Sequence, residues 1–392
     1  MNGKLIFKNR FFALAVSFLV LFNCHACIAK EVAVPKEVMQ EIERIVDAPS
    51  CFAGVDGMAR KSRKSRIKDM VEWYNEYGIV NEEYNNWGLD IKNFRKQEDF
   101  LEYKVLCDER RQFHHGNINP KEYQPSYADK FEFYQTMKNN NLEDKTAKIN
   151  YIVKEGKVVF PDDKQDMSAL SALKSLKDGK YICKPRHGEC GQGVRLIVKR
   201  NERLSFYDKY FKKASKDNFL ESIYRKNYII QDYVQQHKKL SALNDSSLNT
   251  LRIVTTRFSK DVHILGAMFR MGTGESIIDN AYTGGVCTSV NLKKGTLGKY
   301  GFYYSKFNKK VELKHPVSHI KYEDYQLPYW EETIKLVKKA HKVFCGLSSI
   351  GWDVAITEKG PIIMELNPGY SLTGFQAVNG GLKEKWYKLK KM

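Results

Sequence analysis

Asp353, Glu365 and Asn367 are oxygen-bearing side chains in two β-prone runs, Gly351–Ile356 and Pro361–Asn367, separated by Glu358-Lys359-Gly360. A hairpin with its turn centred on Lys359 sets Asp353 directly opposite Glu365. The two-residue period of a strand then brings Asn367 to the same face. Two facing carboxylates in an apolar hairpin repel unless a cation lies between them. Oxygen ligands of this kind suit a hard divalent ion, with phosphate oxygens completing its shell. Everything turns on register: a turn moved by one residue puts the two carboxylates on opposite faces.

Upstream, Lys180–Pro185 reads as a strand that carries Lys184 near its end, followed by Gly188, Gly191 and Gly193 and a second apolar run, Val194–Val198. Glycines let backbone N–H groups approach an anion closely, and Lys184 adds a point charge to the same phosphates. No Gly-Lys-Ser/Thr follows, so this is not a Walker A loop. The loop leads into a strand and not a helix, so it is not a dinucleotide fingerprint. What remains is a flap over a nucleotide, or an ordinary glycine-rich turn. The strand Tyr228–Val234 ends in Gln231, Asp232 and Val234, a place where backbone groups can meet a purine edge. Arg252 and Arg270 lie in two further β runs, Asn249–Thr256 and Val262–Met271. Guanidiniums in apolar strands call for an anion, either a ligand's or that of an Asp or Glu in the chain itself.

The elements that must position these groups are legible in outline. Tyr151–Val153 and Lys157–Phe160 flank Glu155-Gly156 as a hairpin, and Ala169–Leu176 reads as a short helix. Residues 31–128 form a helical, charged region. It opens with Val34, Val38, Ile42, Ile45 and Val46 at helical spacing and carries five bases in the seven positions 60–66. That run is either a solvated helix face or a contact for anionic lipid. Residues 1–30 place Lys4, Lys8 and Arg10 before an apolar run, Phe11–Phe22, the pattern of a signal peptide or membrane anchor.

Over the whole chain of 392 residues, 65 Lys and Arg stand against 46 Asp and Glu, a net charge of +19. With 42% hydrophobic residues the chain is neither disordered nor linker-like. Eight irregularly spaced Cys exclude a disulfide scaffold. The charge points to a polyanionic partner. Acidic residues between Trp73 and Phe94, and the lack of a zinc-finger or RNA-recognition signature, argue against nucleic acid.

In order, Lys184 with its glycine loop, the Gln231–Val234 strand end, Arg252, Arg270, Asp353 and Glu365-Leu366-Asn367 resemble an ATP-grasp enzyme. Ser247-Leu-Asn-Thr-Leu-Arg252, Asp279-Asn280 before Gly284-Gly285, and Gly351-Trp-Asp-Val-Ala-Ile356 are similar to the sugar-transfer associated ATP-grasp group. The resemblance covers about residues 125–380 and implies an α+β, ATP-grasp fold, two subdomains gripping ATP, preceded by a helical region and one hydrophobic segment. Expected boundaries are 1–30, 31–128, 129–230 for the subdomain with the flap, and 231–385 for the subdomain with the metal site.

By the same resemblance Lys184 holds the α- and β-phosphates, and Gly188, Gly191 and Gly193 form the flap. Gln231 to Val234 read adenine, Asp353, Glu365 and Asn367 hold Mg²⁺, with Mn²⁺ as the alternative ion, and Arg252 and Arg270 steady the γ-phosphate and an acyl-phosphate. Lys130, after Asp129, resembles an early phosphate lysine. The implied activity is an ATP- and Mg²⁺-dependent ligation of a carboxylate, small-molecule or saccharide-linked, to an amine, in surface polysaccharide or sugar-acid modification. Alternatives are a phosphotransferase using the same nucleotide site, or a non-catalytic, membrane-anchored polyanion-binding module. Dependence on ATP favours a catalytic part on the cytoplasmic side of a membrane, with secretion after signal cleavage as the other outcome.

Overall fold

The computed structural model describes residues 34–102, 128–154, 157–159, 167–188, 191–224, 227–258, 261–274 and 276–391. The expected signal or anchor segment, residues 1–30, lies outside the described residues, as do Glu155 and Gly156. Among the described residues no helix is long and apolar enough to cross a membrane.

Helices α1 (Lys36–Asp47) and α2 (Arg63–Tyr77) open the fold. The three-and-four spacing of α1 puts Ile42, Ile45 and Val46 in one buried stripe, packed with Met70 and Trp73 of α2. Ser62 caps α2 by accepting from the Ser65 N–H, and Gly78 ends it at φ 72°. Between α2 and residue 102 the described chain holds no α-helix, only the 3₁₀ turn Gln97–Asp99. Residues 79–102 run as turns that bury Tyr84, Trp87, Leu89 and Phe100 on the helix pair. The basic run is largely engaged within the protein: Arg60 pairs with Asp90, Lys61 with Asp69 and Arg63 with Asp47, while Arg66 donates to the Val46 carbonyl. It is therefore not a free basic patch.

The first sheet is eight-stranded and antiparallel, in the order β3-β2-β1-β8-β4-β5-β6-β7. Its strands are β1 (Ile149–Lys154), β2 (Lys157–Val159), β3 (Met167–Ser168), β4 (Gly179–Pro185), β5 (Arg195–Arg200), β6 (Arg203–Asp208), β7 (Lys213–Ala214) and β8 (Tyr228–Asp232). Alternation on β4 sends Cys183 to one face, where it meets Leu173 and Phe219. Those two residues come from the helices covering the sheet, Ala169–Ser175 and Lys216–Tyr224. Ile182 and Lys184 take the opposite face.

The second sheet is six-stranded, in the order β12-β11-β10-β9-β13-β14. It comprises β9 (Thr250–Phe258), β10 (Asp261–Met271), β11 (Val286–Val290), β12 (Leu297–Phe302), β13 (Ser349–Thr357) and β14 (Gly360–Asn367). Helix Trp330–Val343 buries Leu336, Val337 and Ala340 on Leu251, Ile253 and Trp352 of one face. Two C-terminal helices, Leu372–Asn379 and Lys383–Lys390, cover part of the other face through Phe375 and Trp386. The rest of that face is open to a cleft.

Two boundaries differ from the expected division. Gln231 and Asp232 complete β8 of the first sheet, so the change of sheet falls between Asp232 and Thr250. Helix Lys130–Asn139 precedes the first sheet in sequence yet packs in the core of the second, with Phe133 stacked on Phe344 at 5.7 Å between ring centroids. Hydrophobic contact, not chain order, decides where it belongs.

Candidate active site

A cavity of about 1100 Å³ lies between the two sheets. Lys130, Lys184, Gly188, Gly191, Gln231, Val234, Arg252, Arg270, Asp353, Glu365 and Asn367 all line it. Residues spread over more than two hundred positions of the chain are brought together by the folding of one sheet over the other.

On the first sheet, Lys184 leaves β4 with its ammonium in the cleft. It makes no hydrogen bond or ion pair with any described residue. Burial lowers it to about 8, although Glu365 and Asp353 across the cleft pull the other way. Gln231 lies opposite Ile182 in the β4–β8 ladder, and both side chains line the cavity. Asp232 alternates away: its carboxylate accepts from Asn150 Nδ2 at 2.7 Å and borders a separate groove behind the strand. The Asp232 side chain thus turns away from the cavity, whereas the purine contact expected of this strand end is one of backbone groups.

The glycine loop is held from below. Lys130 Nζ donates to the Gly188 carbonyl at 2.9 Å, and the Lys130 N–H donates to the Arg186 carbonyl at 3.1 Å. Asp129 receives the Arg186 guanidinium, Nε lying 3.1 Å from both carboxylate oxygens. Gly191 adopts φ 65° and sits so close to Ile278 that a Cβ would collide with it. Gly193 does not line the cavity. It turns the chain at φ 71° under Pro185 and the Tyr228 hydroxyl, so its contribution is the bend.

On the second sheet, Asp353 pairs with Glu365 and Gly351 with Asn367. The turn is centred between Glu358 and Lys359, with Thr357 opposite Gly360, half a residue from the position the sequence suggests. Carried through unbroken, that register would set Glu365 opposite Trp352. A bulge leaves Met364 without a partner, and the residues beyond it return to the pairing that faces both carboxylates.

Asp353 is also opposite Arg252 on β9. Arg252 Nε donates to Oδ1 at 2.5 Å and Nη2 to Oδ2 at 3.1 Å, while Arg270 Nη2 reaches Oδ2 at 2.9 Å. Burial works to raise this carboxyl, but the two guanidiniums override it and hold it at about 2. Of the two anions weighed for the arginines, the chain itself supplies one.

Two participants stand in the motifs quoted above but were given no role there. Thr250 hydroxyl donates to Asp279 and accepts from Arg270 Nε at 3.0 Å and Nη2 at 2.5 Å. Burial raises the Asp279 carboxyl, opposed by Arg270 at 3.6 Å and by Thr250. Thr250 was within reach of the sequence, since it precedes Arg252 by one strand period. Asp279 lies in a loop, where no periodicity points to it. The start of β9 is fixed by Asn249, which donates to the Leu240 and Asn244 carbonyls.

Asp353, Asp279 and Glu365 offset Arg252, Arg270 and Lys184 in charge, and Lys130 and Lys309 also line the cavity. A triphosphate carries more negative charge than these two lysines offset, so it brings a cation of its own. Among the described residues no three or more His, Cys, Asp or Glu side chains form a metal cage. Mg²⁺ does not require one, because it is ordinarily held by one or two carboxylates with phosphates and water. Glu365 and Asn367 fit as donors that line the cleft, whereas both Asp353 oxygens are already occupied by arginine.

Two antiparallel sheets closing on a cleft, with a lysine and glycine flap on one and an Arg-Asp-Glu-Asn cluster on the other, define an ATP-grasp protein. The chain belongs to the sugar-transfer associated ATP-grasp family, whose sequence profile matches residues 109–391. Among solved structures it is similar to an L-amino acid ligase from Bacillus licheniformis, at 13% identity and TM-score 0.35, covering 64% of this chain and 42% of that one. It is also similar to a D-alanine–D-alanine ligase from Helicobacter pylori, at 14% identity and TM-score 0.38, covering 73% and 65%. A third is an N5-carboxyaminoimidazole ribonucleotide synthetase from Thermotoga maritima, at 13% identity and TM-score 0.36, covering 72% and 52%. The chain thus spans less than two thirds of each. No curated protein sequence matches it.

Proposed function

We infer that the protein is an ATP- and Mg²⁺-dependent ligase that joins a carboxylate to an amine through an acyl-phosphate. The observation that carries this reading is the pairing, across one cavity, of a free lysine under a glycine flap with the Arg252–Arg270–Asp353–Glu365 cluster. A substrate carboxylate attacks the γ-phosphorus, the bond to ADP breaks, and the acyl-phosphate forms. An amine then attacks the acyl carbon and phosphate leaves as the amine loses a proton. Neither step needs a protein nucleophile; both need positioned charge.

Lys184 and the loop N–H groups hold the transferring phosphates, and Gln231 and Val234 border the base. Arg252 and Arg270, kept in place by Asp353, present their remaining N–H groups to the developing charge. Glu365 and Asn367 would hold Mg²⁺, which when bound offsets phosphate charge and polarises the γ-phosphoryl group. Membrane association through residues 1–30, and a saccharide-linked carboxylate as substrate, belong to the same proposal and rest on the sequence and the family.

The test is ADP release from ATP over a panel of carboxylates, with hydroxylamine present to trap an acyl-phosphate as hydroxamate. Carboxylate-dependent ADP and hydroxamate, both lost in Glu365→Gln, support the reading. ADP with a stable phosphorylated product and no hydroxamate makes the protein a phosphotransferase instead.

A further inference from the structure

The edge of the first sheet carries a feature that the nucleotide site does not use. Strands β6 and β7 are joined by a tight turn, Asp208–Lys212, whose tip is Lys209-Tyr210-Phe211. The turn is firmly closed by hydrogen bonds. Asp208 Oδ1 accepts from the Tyr210 N–H at 2.8 Å and from the Lys212 N–H at 2.9 Å. The Asp208 carbonyl accepts from the Phe211 N–H at 3.2 Å, and the Asp208 N–H donates to the Lys212 carbonyl at 2.9 Å.

Two aromatic rings stand out from this tip. Tyr210 is 54% exposed and Phe211 42%. Phe211 also adopts φ 60°, a left-handed conformation that glycine takes freely and a bulky side chain takes under strain. A turn that only reversed the chain would be better made with glycine. Around the rings lie Lys209, whose Nζ is 5.1 Å from the Tyr210 centroid, and the exposed Lys212, Lys213 and Lys216. Among the described residues no carboxylate lies in ion-pair range of these four ammoniums. The acids of the stretch are Asp208, which closes the turn, and Asp217.

We propose that this turn docks on an anionic lipid bilayer, with Tyr210 and Phe211 entering the headgroup region and Lys209, Lys212, Lys213 and Lys216 meeting lipid phosphates. Aromatic rings settle at headgroup level, and lysine stems lie along apolar surface while their ammoniums stay among the phosphates. The chain ahead of the described residues favours a bilayer over a protein partner, because residues 1–33 hold the apolar run Phe11–Phe22. A second contact at the turn then fixes an orientation that one apolar segment leaves open. Ile277 N–H donates to the Lys209 carbonyl at 2.9 Å, and Ile277, Ile278 and Asp279 border the cavity. Docking therefore sets the cavity rim beside the headgroups. The proposal uses none of the nucleotide-site residues and does not depend on the ligase reading.

The experiment follows tryptophan fluorescence of the full chain carrying Phe211→Trp, mixed with vesicles of brominated phosphatidylglycerol or brominated phosphatidylcholine. The native tryptophans, Trp73, Trp87, Trp330, Trp352 and Trp386, are buried at 6% exposure or less and give a constant background. Phe211→Trp is quenched by the anionic vesicles and far less by the zwitterionic ones. Lys359→Trp, in the exposed β13–β14 turn of the other sheet, is not quenched. Adding Lys212→Gln, Lys213→Gln and Lys216→Gln to Phe211→Trp raises the lipid concentration for half-quenching about a hundredfold, the scale of three lysines at an anionic surface. Those side chains are exposed, so an unchanged unfolding midpoint separates lost docking from lost folding. Residues 1–30 are present in every variant, so attachment through them is common to all. Equal quenching at positions 211 and 359, equal quenching by both lipids, or an unshifted half-quenching point in the lysine variant overturns the proposal. So does an unquenched position 211, which would leave the turn to a protein partner.

Discussion

Arg252 and Asp353 stand opposite each other on neighbouring strands, joined by hydrogen bonds of 2.5 and 3.1 Å, with Arg270 closing on the same carboxylate from the next strand. One acid thus orients two guanidiniums that would otherwise repel across a buried sheet face. Removing a single member of such a group leaves charge without a partner.

Asp353→Asn is therefore expected to destabilise the protein by about 3–5 kcal/mol as well as to abolish ADP formation. Urea denaturation followed by tryptophan fluorescence measures the first effect. A variant as stable as the parent would show that the arginines find other partners.

Glu365→Gln separates chemistry from stability. Glu365 lines the cleft and has no ion pair among the described residues, so the unfolding midpoint should hold steady. ADP formation should fall by at least about a hundredfold, as for loss of one preorganised electrostatic group. A large drop in midpoint would assign Glu365 a structural role.

Nucleotide affinity should depend on pH through Lys184. Its ammonium, lowered to about 8, is charged below that pH and neutral above it. Binding of an ATP analogue, followed by titration between pH 7 and 9, should weaken by about tenfold as that charge is lost. Lys184→Arg keeps its charge over the whole range and should flatten the profile.

Gly191→Ala places a Cβ at φ 65° and against Ile278. Left-handed strain and the clash together should cost about 1–3 kcal/mol and lift the flap, raising KM for ATP more than they lower kcat. Adding Ile278→Ala relieves the clash but not the strain, so KM should recover in part. Full recovery would mean that strain is negligible.

Gln376 donates to the Leu101 carbonyl at 2.8 Å and accepts from the Leu101 N–H at 2.9 Å, tying the N-terminal region to the C-terminal helices. Gln376→Leu strips both partners in a buried place and should lower stability by about 1–3 kcal/mol. Limited proteolysis should then cut within residues 79–102 faster than in the parent. Unchanged cleavage would show that other contacts carry the junction.

The sequence by itself determined the parts that depend on local alternation and composition. The two-residue period of β4, β9, β10 and β13 sends Lys184, Arg252, Arg270 and Asp353 to faces opposite their apolar neighbours. Backbone geometry enforces that choice whatever the surroundings. The glycine turn and the caps of α2 are local for the same reason. Tertiary structure decided the rest. The bulge at Met364 fixes which face Glu365 takes, because the turn alone would have set it opposite Trp352. Asp279 joins the cluster from a loop, and Asp353 turns from a free ligand into an arginine counter-ion. Each is a contact between distant segments, and burial and charge balance between such segments are settled only when the sheets close on each other.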